Sequence, residues 1–342
     1  MSERTYSAFR LTFKSGLHLG RGRADSYEQS LTTLHSDTLK AALFVAALEL
    51  YGEDTIGESW LGSFIVSSAF PFRGQEYFFP KPLARTSMVA GVPEARQGKR
   101  LKALRWLGQR YFEQLLAGRD VPYPEAHLHA GGFLSDKLSA NSTEALLTAE
   151  LQQHVAVPRE GTDDPTPYYT ERLHFAADAG LFFLVENASP AVLTQVGAAL
   201  RLLGENGLGT DKNLGNGRFT AEATTVRLQV PAKAPAQTSL SLICPSLADL
   251  VAASPTHELS QYALIRRGGY LASPRQPEHL RLRKRSVYML LEGAVLPTTP
   301  TPLQGSCVDL QPRDFAIGHP VWRDGRALFL PLVPLPEPAY GA

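Results

Sequence analysis

Five glycines fall within the 14 residues from Gly204 to Gly217, between a segment of helical period and a segment of alternating period. Glycine weakens helix and strand interiors alike but permits positive φ and close backbone approach. A helix is therefore expected to end at Gly204 and a strand to begin after Arg218. Ser189-Pro190 opens that helix, serine as cap and proline at its first position. Val192, Val196, Ala199, Leu200 and Leu203 line one of its faces, and Val226, Leu228 and Val230 line one face of the strand that follows.

The same pairing of strand and helix stands at the start of the chain. Phe9, Leu11 and Phe13 alternate with Arg10, Thr12 and Lys14, the pattern of a half-buried strand. A polar, glycine-bearing loop with Arg21 and Arg23 follows. Ser36 is expected to cap a helix with Asp37 in its first turn, Leu39, Leu43, Ala46, Ala47 and Leu50 at helical spacing, and Gly52 as terminator. Strands are expected at Phe64–Phe70, Tyr77–Phe79 and Leu181–Val185. The order strand, helix, strand, strand, insertion, strand, helix, strand predicts an α+β fold of ferredoxin-like type, with helices on one face of an antiparallel sheet.

Residues 83 to about 178 interrupt this order and are expected to be an insertion, with a basic amphipathic helix from Lys99 to Leu116 and an acidic loop from Gly161 to Pro167. Pro231–Thr238 has the composition of a linker. The expected organisation is a first domain over 1–230 with its glycine-rich loop at 204–218, a linker over 231–238, and a second domain over 239–342 with a Pro-rich tail. Strands in the second domain are expected at Leu240–Ile243, Tyr262–Arg266, Val287–Leu291 and Ala327–Leu332.

Composition excludes several classes. No run of 18 apolar residues predicts a membrane span, and no apolar stretch follows the first charges as in a secretory signal. Two cysteines, Cys244 and Cys307, make neither a disulfide framework nor a four-ligand zinc site, and a reducing cytoplasmic setting is expected. Neither His127-x-His129 nor His18 and His174 has ligand spacing with acidic partners, so no metal or cofactor is expected. The net charge is only +1, but Arg96–Arg110 carries six Lys/Arg and no acid, and Arg266–Arg285 carries seven against one acid, Glu278.

The glycine loop is neither standard nucleotide motif. No Gly-Lys-Ser/Thr closes it, and it runs from helix to strand, whereas a dinucleotide fingerprint runs from strand to helix. Backbone N–H groups at Gly207, Gly209, Gly215 and Gly217, next to Lys212 and Arg218, suit a phosphate cradle. A plain glycine-rich turn closing a helix–strand connection accounts for the composition equally well. Asn213 and Asn216 have side chains that read base edges. Arg21 and Arg23 are candidates for backbone or stacking contacts. The helix at Ser36, with His35 and Lys40, can offer its N-terminal N–H groups to a phosphate or be an ordinary capped core helix. Arg266, Arg267, Lys284 and Arg285 form a second basic track, suited to RNA or to a protein partner.

Six segments in this order resemble the RAMP superfamily of CRISPR proteins, and more narrowly its fourth-Csm-subunit family. They are Leu34–Leu39 (Leu-His-Ser-Asp-Thr-Leu), Phe78–Leu83 around Pro-Lys-Pro, the glycine loop Leu203–Phe219, Arg266–Tyr270, Glu292–Val295 and His319–Gly325. Ala294 stands where that family has serine. The insertion is outside the resemblance. The resemblance implies two ferredoxin-like domains and a non-catalytic subunit of a type III-A complex. Such a subunit caps the 5′ tag of the crRNA, docks the large palm-domain subunit that makes cyclic oligoadenylate, and contacts a backbone RAMP subunit. Two alternatives remain at this level: a metal-independent crRNA-processing endoribonuclease with His35 as general base, and a pure protein scaffold.

Overall fold

The computed structural model describes residues 1–20, 28–84, 88–89, 102–138, 145–157, 164–271, 279, 282–315 and 317–335. Arg21 and Arg23 lie outside them. The architecture is α+β. Its main sheet has nine strands among the described residues. The long first strand, β1 (Ser2–Phe13), is paired on both sides. It runs antiparallel to β8 (Phe219–Val230) along its whole length, from Ser2 opposite Val230 to Phe13 opposite Phe219. On its other side it pairs antiparallel with β7 (Ala179–Glu186), Phe9 opposite Phe183. Beyond β7 come β2 (Phe70–Arg73), β3 (Glu76–Pro80) and β4 (Trp106–Gly108).

The run Leu181–Val185 is apolar without alternation because both faces of β7 are covered. Leu181, Phe183 and Val185 pack with Leu39 and Leu43 of α1 (Ser36–Tyr51) and with Val196 and Leu200 of α3 (Pro190–Asn206). Phe182 and Leu184 face the other way. They join a core that includes Phe112 and Leu116 of α2 (Gln109–Leu116) and Leu328 and Leu330 from the far end of the chain. The face opposite α1 and α3 is therefore closed by the insertion and the second half, not open to solvent.

Local expectations hold at several ends. Ser189 Oγ accepts from the Val192 N–H with proline at the first helical position, and Gly52, at φ 76°, donates its N–H to the Leu48 carbonyl. Others are corrected. The N-cap of α1 is His35, and Ser36 is its first helical residue. α3 runs past Gly204 to Asn206, where Gly207 ends it, because Gly204 sits against the Phe219 carbonyl and needs only the absence of Cβ. Of the helix expected over Lys99–Leu116, residues 99–101 lie outside the described ones, Lys102 and Ala103 are helical, and the helix resumes only at Gln109–Leu116. Trp106–Gly108 is instead a strand, since pairing with Phe78–Pro80 overrides the local helical period. The sheet is not wholly antiparallel: β4 runs parallel to the short strand Phe133–Leu134. Within the insertion, β5 (Leu147–Ala156) and β6 (Thr166–Phe175) form a separate two-stranded ribbon. Of the acidic loop expected from Gly161 to Pro167, residues 161–163 lie outside the described ones, and Thr166 and Pro167 already belong to β6.

In the second half, a three-stranded sheet has β9 (Ala236–Ser239) between β12 (Val295–Pro297) and β15 (Phe329–Leu332). The strand expected at Leu240–Ile243 is thus displaced to 236–239, inside the stretch expected as linker, where Ala236 and Thr238 are buried. Two hairpins complete it: β10 (Leu264–Arg267) with β11 (Val287–Leu290), and β13 (Cys307–Asp309) with β14 (Trp322–Asp324). No described helix is long and apolar enough to cross a membrane.

Candidate nucleic-acid interface

The start of α1 is closed. Asp37 is fully buried and takes two guanidinium groups from the second half. Arg267 Nε donates to its Oδ2 at 2.8 Å and Arg267 Nη2 to its Oδ1 at 3.1 Å, while Arg323 Nη1 donates to Oδ2 at 2.6 Å. Burial alone would raise the Asp37 carboxyl; Arg323 and Arg267 overcome it and hold the group well below the usual carboxylate range. His35 Nδ1 lies 2.7 Å from Glu292 Oε1, which also accepts from the Ser68 hydroxyl. The Ser36 hydroxyl accepts from the Leu242 N–H at 2.9 Å. Lys40 donates to the Phe64 carbonyl at 2.6 Å, lies over the Phe64 ring, and has Asp324 Oδ2 at 3.9 Å. Burial pulls Lys40 down to about 7, with Asp324 opposing.

His35, Ser36 and Lys40, expected at a phosphate, are therefore consumed by the contact between the two halves. Ser36 N–H, the donor a phosphate would need, goes to Ser68 Oγ at 2.8 Å. Arg267 and Lys284 of the expected second track also turn inward. Lys284 is lowered to about 8 by burial and by Arg323, with Asp37 opposing. Arg285 is exposed but spends its guanidinium on the carbonyls of Asp309 and Gln311. Arg266 alone of that track points freely outward. The partners Ser68, Glu292, Arg323 and Asp324 were not foreseen, since residues 286 apart in sequence leave no local signal of pairing.

The glycine loop is open where the helix start is closed. Leu208 N–H donates to the Gly217 carbonyl at 2.9 Å, and Gly217 N–H to the Gly16 carbonyl at 2.8 Å. Thr210 N–H reaches the His18 carbonyl at 3.1 Å, and Arg218 N–H the Ser15 hydroxyl at 3.0 Å. The loop is thus sewn to residues 15–18, which pair in turn with Leu173 at the base of the β5–β6 ribbon. Gly217 has φ 70°, and a Cβ there would overlap the Leu208 carbonyl oxygen, so the residue is required by the fold of the loop itself. A short 3₁₀ turn, Lys212–Leu214, projects from this base with Lys212, Asn213 and Leu214 exposed, and Arg218 is exposed beside it. Asn216, expected to read a base, is buried instead, with its Nδ2 unpartnered. Gly207, Gly209 and Gly217 serve close backbone packing; at Gly215 a Cβ would meet only open space. What the geometry exposes is an edge with two cations and one amide, with Glu205 exposed and Asp211 half-buried in the same loop.

The histidines have local partners: His127 with the Tyr111 hydroxyl at 2.6 Å, His129 with the Ser135 carbonyl, His18 with the Glu171 carbonyl. Among the described residues no group of three or more His, Cys, Asp or Glu is placed to hold a metal.

Residues 232–332 match the family model of the CRISPR Csm4 C-terminal domain. The chain is 28% identical over 314 residues to the CRISPR system Cms protein Csm4 of Mycobacterium tuberculosis (strain CDC 1551 / Oshkosh), covering 89% of this chain and 92% of that one. It is 26% identical over 266 residues to the protein of that name from Thermococcus onnurineus (strain NA1), covering 74% and 80%. The chain is similar to Csm4 proteins along most of its length. Its fold is also that of Csm4 in solved structures. A Csm3–Csm4 subcomplex of the type III-A CRISPR-Cas interference complex matches with TM-score 0.64 at 17% identity, over 96% of this chain and all of that one. A Csm1–Csm4 cassette in complex with pppApA matches with TM-score 0.62 at 20% identity, over 98% and 100%. In this Csm4-like chain five of the resembling segments converge on one another. Leu34–Leu39 meets Arg266–Tyr270 through Asp37–Arg267, Glu292–Val295 through His35–Glu292, and His319–Gly325 through Asp37–Arg323. Phe78–Leu83 joins them where Leu83 N–H donates to the Gly293 carbonyl.

Proposed function

We propose that this chain is the non-catalytic Csm4-type subunit of a type III-A CRISPR interference complex, holding the 5′ tag of the crRNA. On this reading it docks the large palm-domain subunit on one side and a backbone RAMP subunit on the other, in the cytoplasm. The observation that carries the RNA role is the glycine loop: a backbone-locked base presenting Lys212, Asn213 and Arg218 to solvent. Phosphates are held by such cations and sequence is read by amides. The kinship with Csm4 proteins, whose solved structures include Csm1–Csm4 and Csm3–Csm4 assemblies, supports the two protein partners.

We further propose that residues 1–230 form a ferredoxin-like unit. Its strands stand in the order β8, β1, β7, β2, with α1 and α3 on one face, which is the order of that motif's fourth, first, third and second strands. The second unit spans the matched residues 232–332, and its ferredoxin-like character rests on the family resemblance of its sequence segments alone. The nuclease alternative is disfavoured, because His35 is buried and engaged by Glu292, out of reach of an RNA hydroxyl.

The test is binding of the chain, assembled with its large-subunit partner, to tagged crRNA and to the same RNA without its tag. Wild type is expected to prefer tagged RNA and leave it intact on a gel. Changing Lys212 and Arg218 together to Ala removes two phosphate contacts and should lower the slope of log affinity against log salt by about 1.4. Unchanged affinity and slope in that variant would reject the loop as the RNA site.

A further inference from the structure

The β10–β11 ribbon exposes one face that the buried network does not use. Tyr262, Leu264 and Arg266 alternate outward, while Ala263, Ile265 and Arg267 turn toward the molecule. Arg266 stands directly opposite Tyr288 across the strands. Tyr288 is 63% exposed and Leu264 58%. Further along the same ribbon, Arg283 lies over the Tyr270 ring at 4.9 Å and donates to its hydroxyl, and Tyr270 is exposed. Two exposed arginine–tyrosine pairs thus stand on one two-stranded element.

The charge around this ribbon is unbalanced. Residues 262–271 and 282–291 contain no Asp or Glu. Beneath the ribbon, Arg267 and Arg323 both pair with a single carboxylate, Asp37, and the half-buried Lys284 lies within the field of all three. Three cations against one anion leave positive charge on the inner face, and Arg266 adds to it on the outer one. Large exposed rings beside uncompensated cations suit a partner that brings both negative charge and flat π surfaces.

We propose that the outer face of this ribbon, Tyr262, Arg266 and Tyr288, is a stacking platform for unpaired nucleotides of RNA, separate from the glycine loop. Tyr288 takes a base on its ring and Arg266 holds the adjoining phosphate. Unpaired nucleotides fit better than a duplex, whose bases are not free to stack on a side chain. The proposal rests on the RNA-holding reading above and adds a second contact surface to it.

The probe is a 12-nucleotide mixed-sequence RNA, single-stranded or annealed to its complement, bound to the full chain assembled with its large-subunit partner. Tyr288→Ala and Arg266→Ala are compared with Tyr288→Phe, and Lys212→Ala/Arg218→Ala is run alongside. Loss of one stacked base weakens single-strand binding about 5- to 150-fold. The expected result is such a loss in Tyr288→Ala, a smaller loss in Arg266→Ala, retention in Tyr288→Phe, and a smaller effect on the duplex. Wild-type affinity in the ribbon variants, with a loss in the loop variant, overturns the platform and leaves the loop reading standing. No RNA binding by the wild-type assembly overturns both. Loss of the protein partner from Tyr288→Ala with RNA affinity unchanged, or competition by polyglutamate as strong as by RNA, makes the face a protein-docking surface and overturns the proposal.

Discussion

At the scale of single residues, the chain's most constrained group is Asp37. It is buried among two arginines, so removing its charge leaves Arg267 and Arg323 unpaired in a dry setting, and breaking a buried pair costs about 3–5 kcal/mol. Asp37→Asn is therefore expected to destabilise the chain by about that amount in urea unfolding at neutral pH. The pH dependence follows from the carboxyl's direction of shift. Asp37 is held below its ordinary value in the folded chain, so its contribution is fully present above the unfolded value of about 4 and is lost as pH falls toward the lowered one. Wild-type stability should drop on acidification below about pH 4 more steeply than that of Asp37→Asn. Parallel slopes for the two proteins would reject the ion pair as the cause. Asp37 was legible as a first-turn acid favourable to the helix dipole, but that exposed role is worth well under the buried one.

At the scale of elements, α2 shows how far local period can mislead. The basic stretch before it looked like one continuous helix with it, yet the chain leaves helix after Ala103 and Trp106–Gly108 is strand. What holds α2 is its inner face: Phe112 stacks on Phe79 with ring centroids 4.7 Å apart and planes within 9°. Phe112 is fully buried against the sheet face opposite α1 and α3. Phe112→Ala should cost about 3–5 kcal/mol through the cavity it leaves, read as a lower urea midpoint with the slope unchanged. A loss under 1 kcal/mol would mean that the insertion is a detachable appendage. The helices at Ser36 and Ser189 were legible in outline because their apolar spacing and terminal glycines are local properties. The assignment of Ser36 as a cap failed because its hydroxyl answers to Leu242, a residue 206 positions away.

At the scale of the whole molecule, the two halves share polar and apolar interiors. Leu328, Leu330 and Leu332 sit in one core cluster with Phe79, Phe182 and Val230. The His35–Glu292 and Asp37–Arg323 contacts seal the same boundary. The full chain is expected to melt in one cooperative transition, and a fragment ending at residue 231 should expose Asp37, lose that transition and be cleaved rapidly by protease. A fragment that melts as sharply as the intact chain would show that the halves fold independently. Removing the second half strips Asp37 of both arginines and bares the apolar surface that Leu328, Leu330 and Leu332 cover, which is the physical ground of this expectation.

What the sequence by itself determined is what depends on neighbours along the chain. Apolar alternation places β1, helical spacing and caps place α1 and α3, and the glycine run marks where helix gives way to strand. Six short segments also carried a family resemblance before their purpose was visible. The tertiary structure decided which polar groups are free. His35, Ser36, Lys40 and Arg267 have the chemistry of an anion site, and folding turns that chemistry inward because the carboxylates of Asp37, Glu292 and Asp324 meet them across the boundary between halves. Lys212, Asn213, Arg218 and Arg266 keep theirs because no acid among the described residues pairs with them. A sequence states a side chain's charge, whereas only the packed chain sets whether its partner is another residue or a ligand from outside.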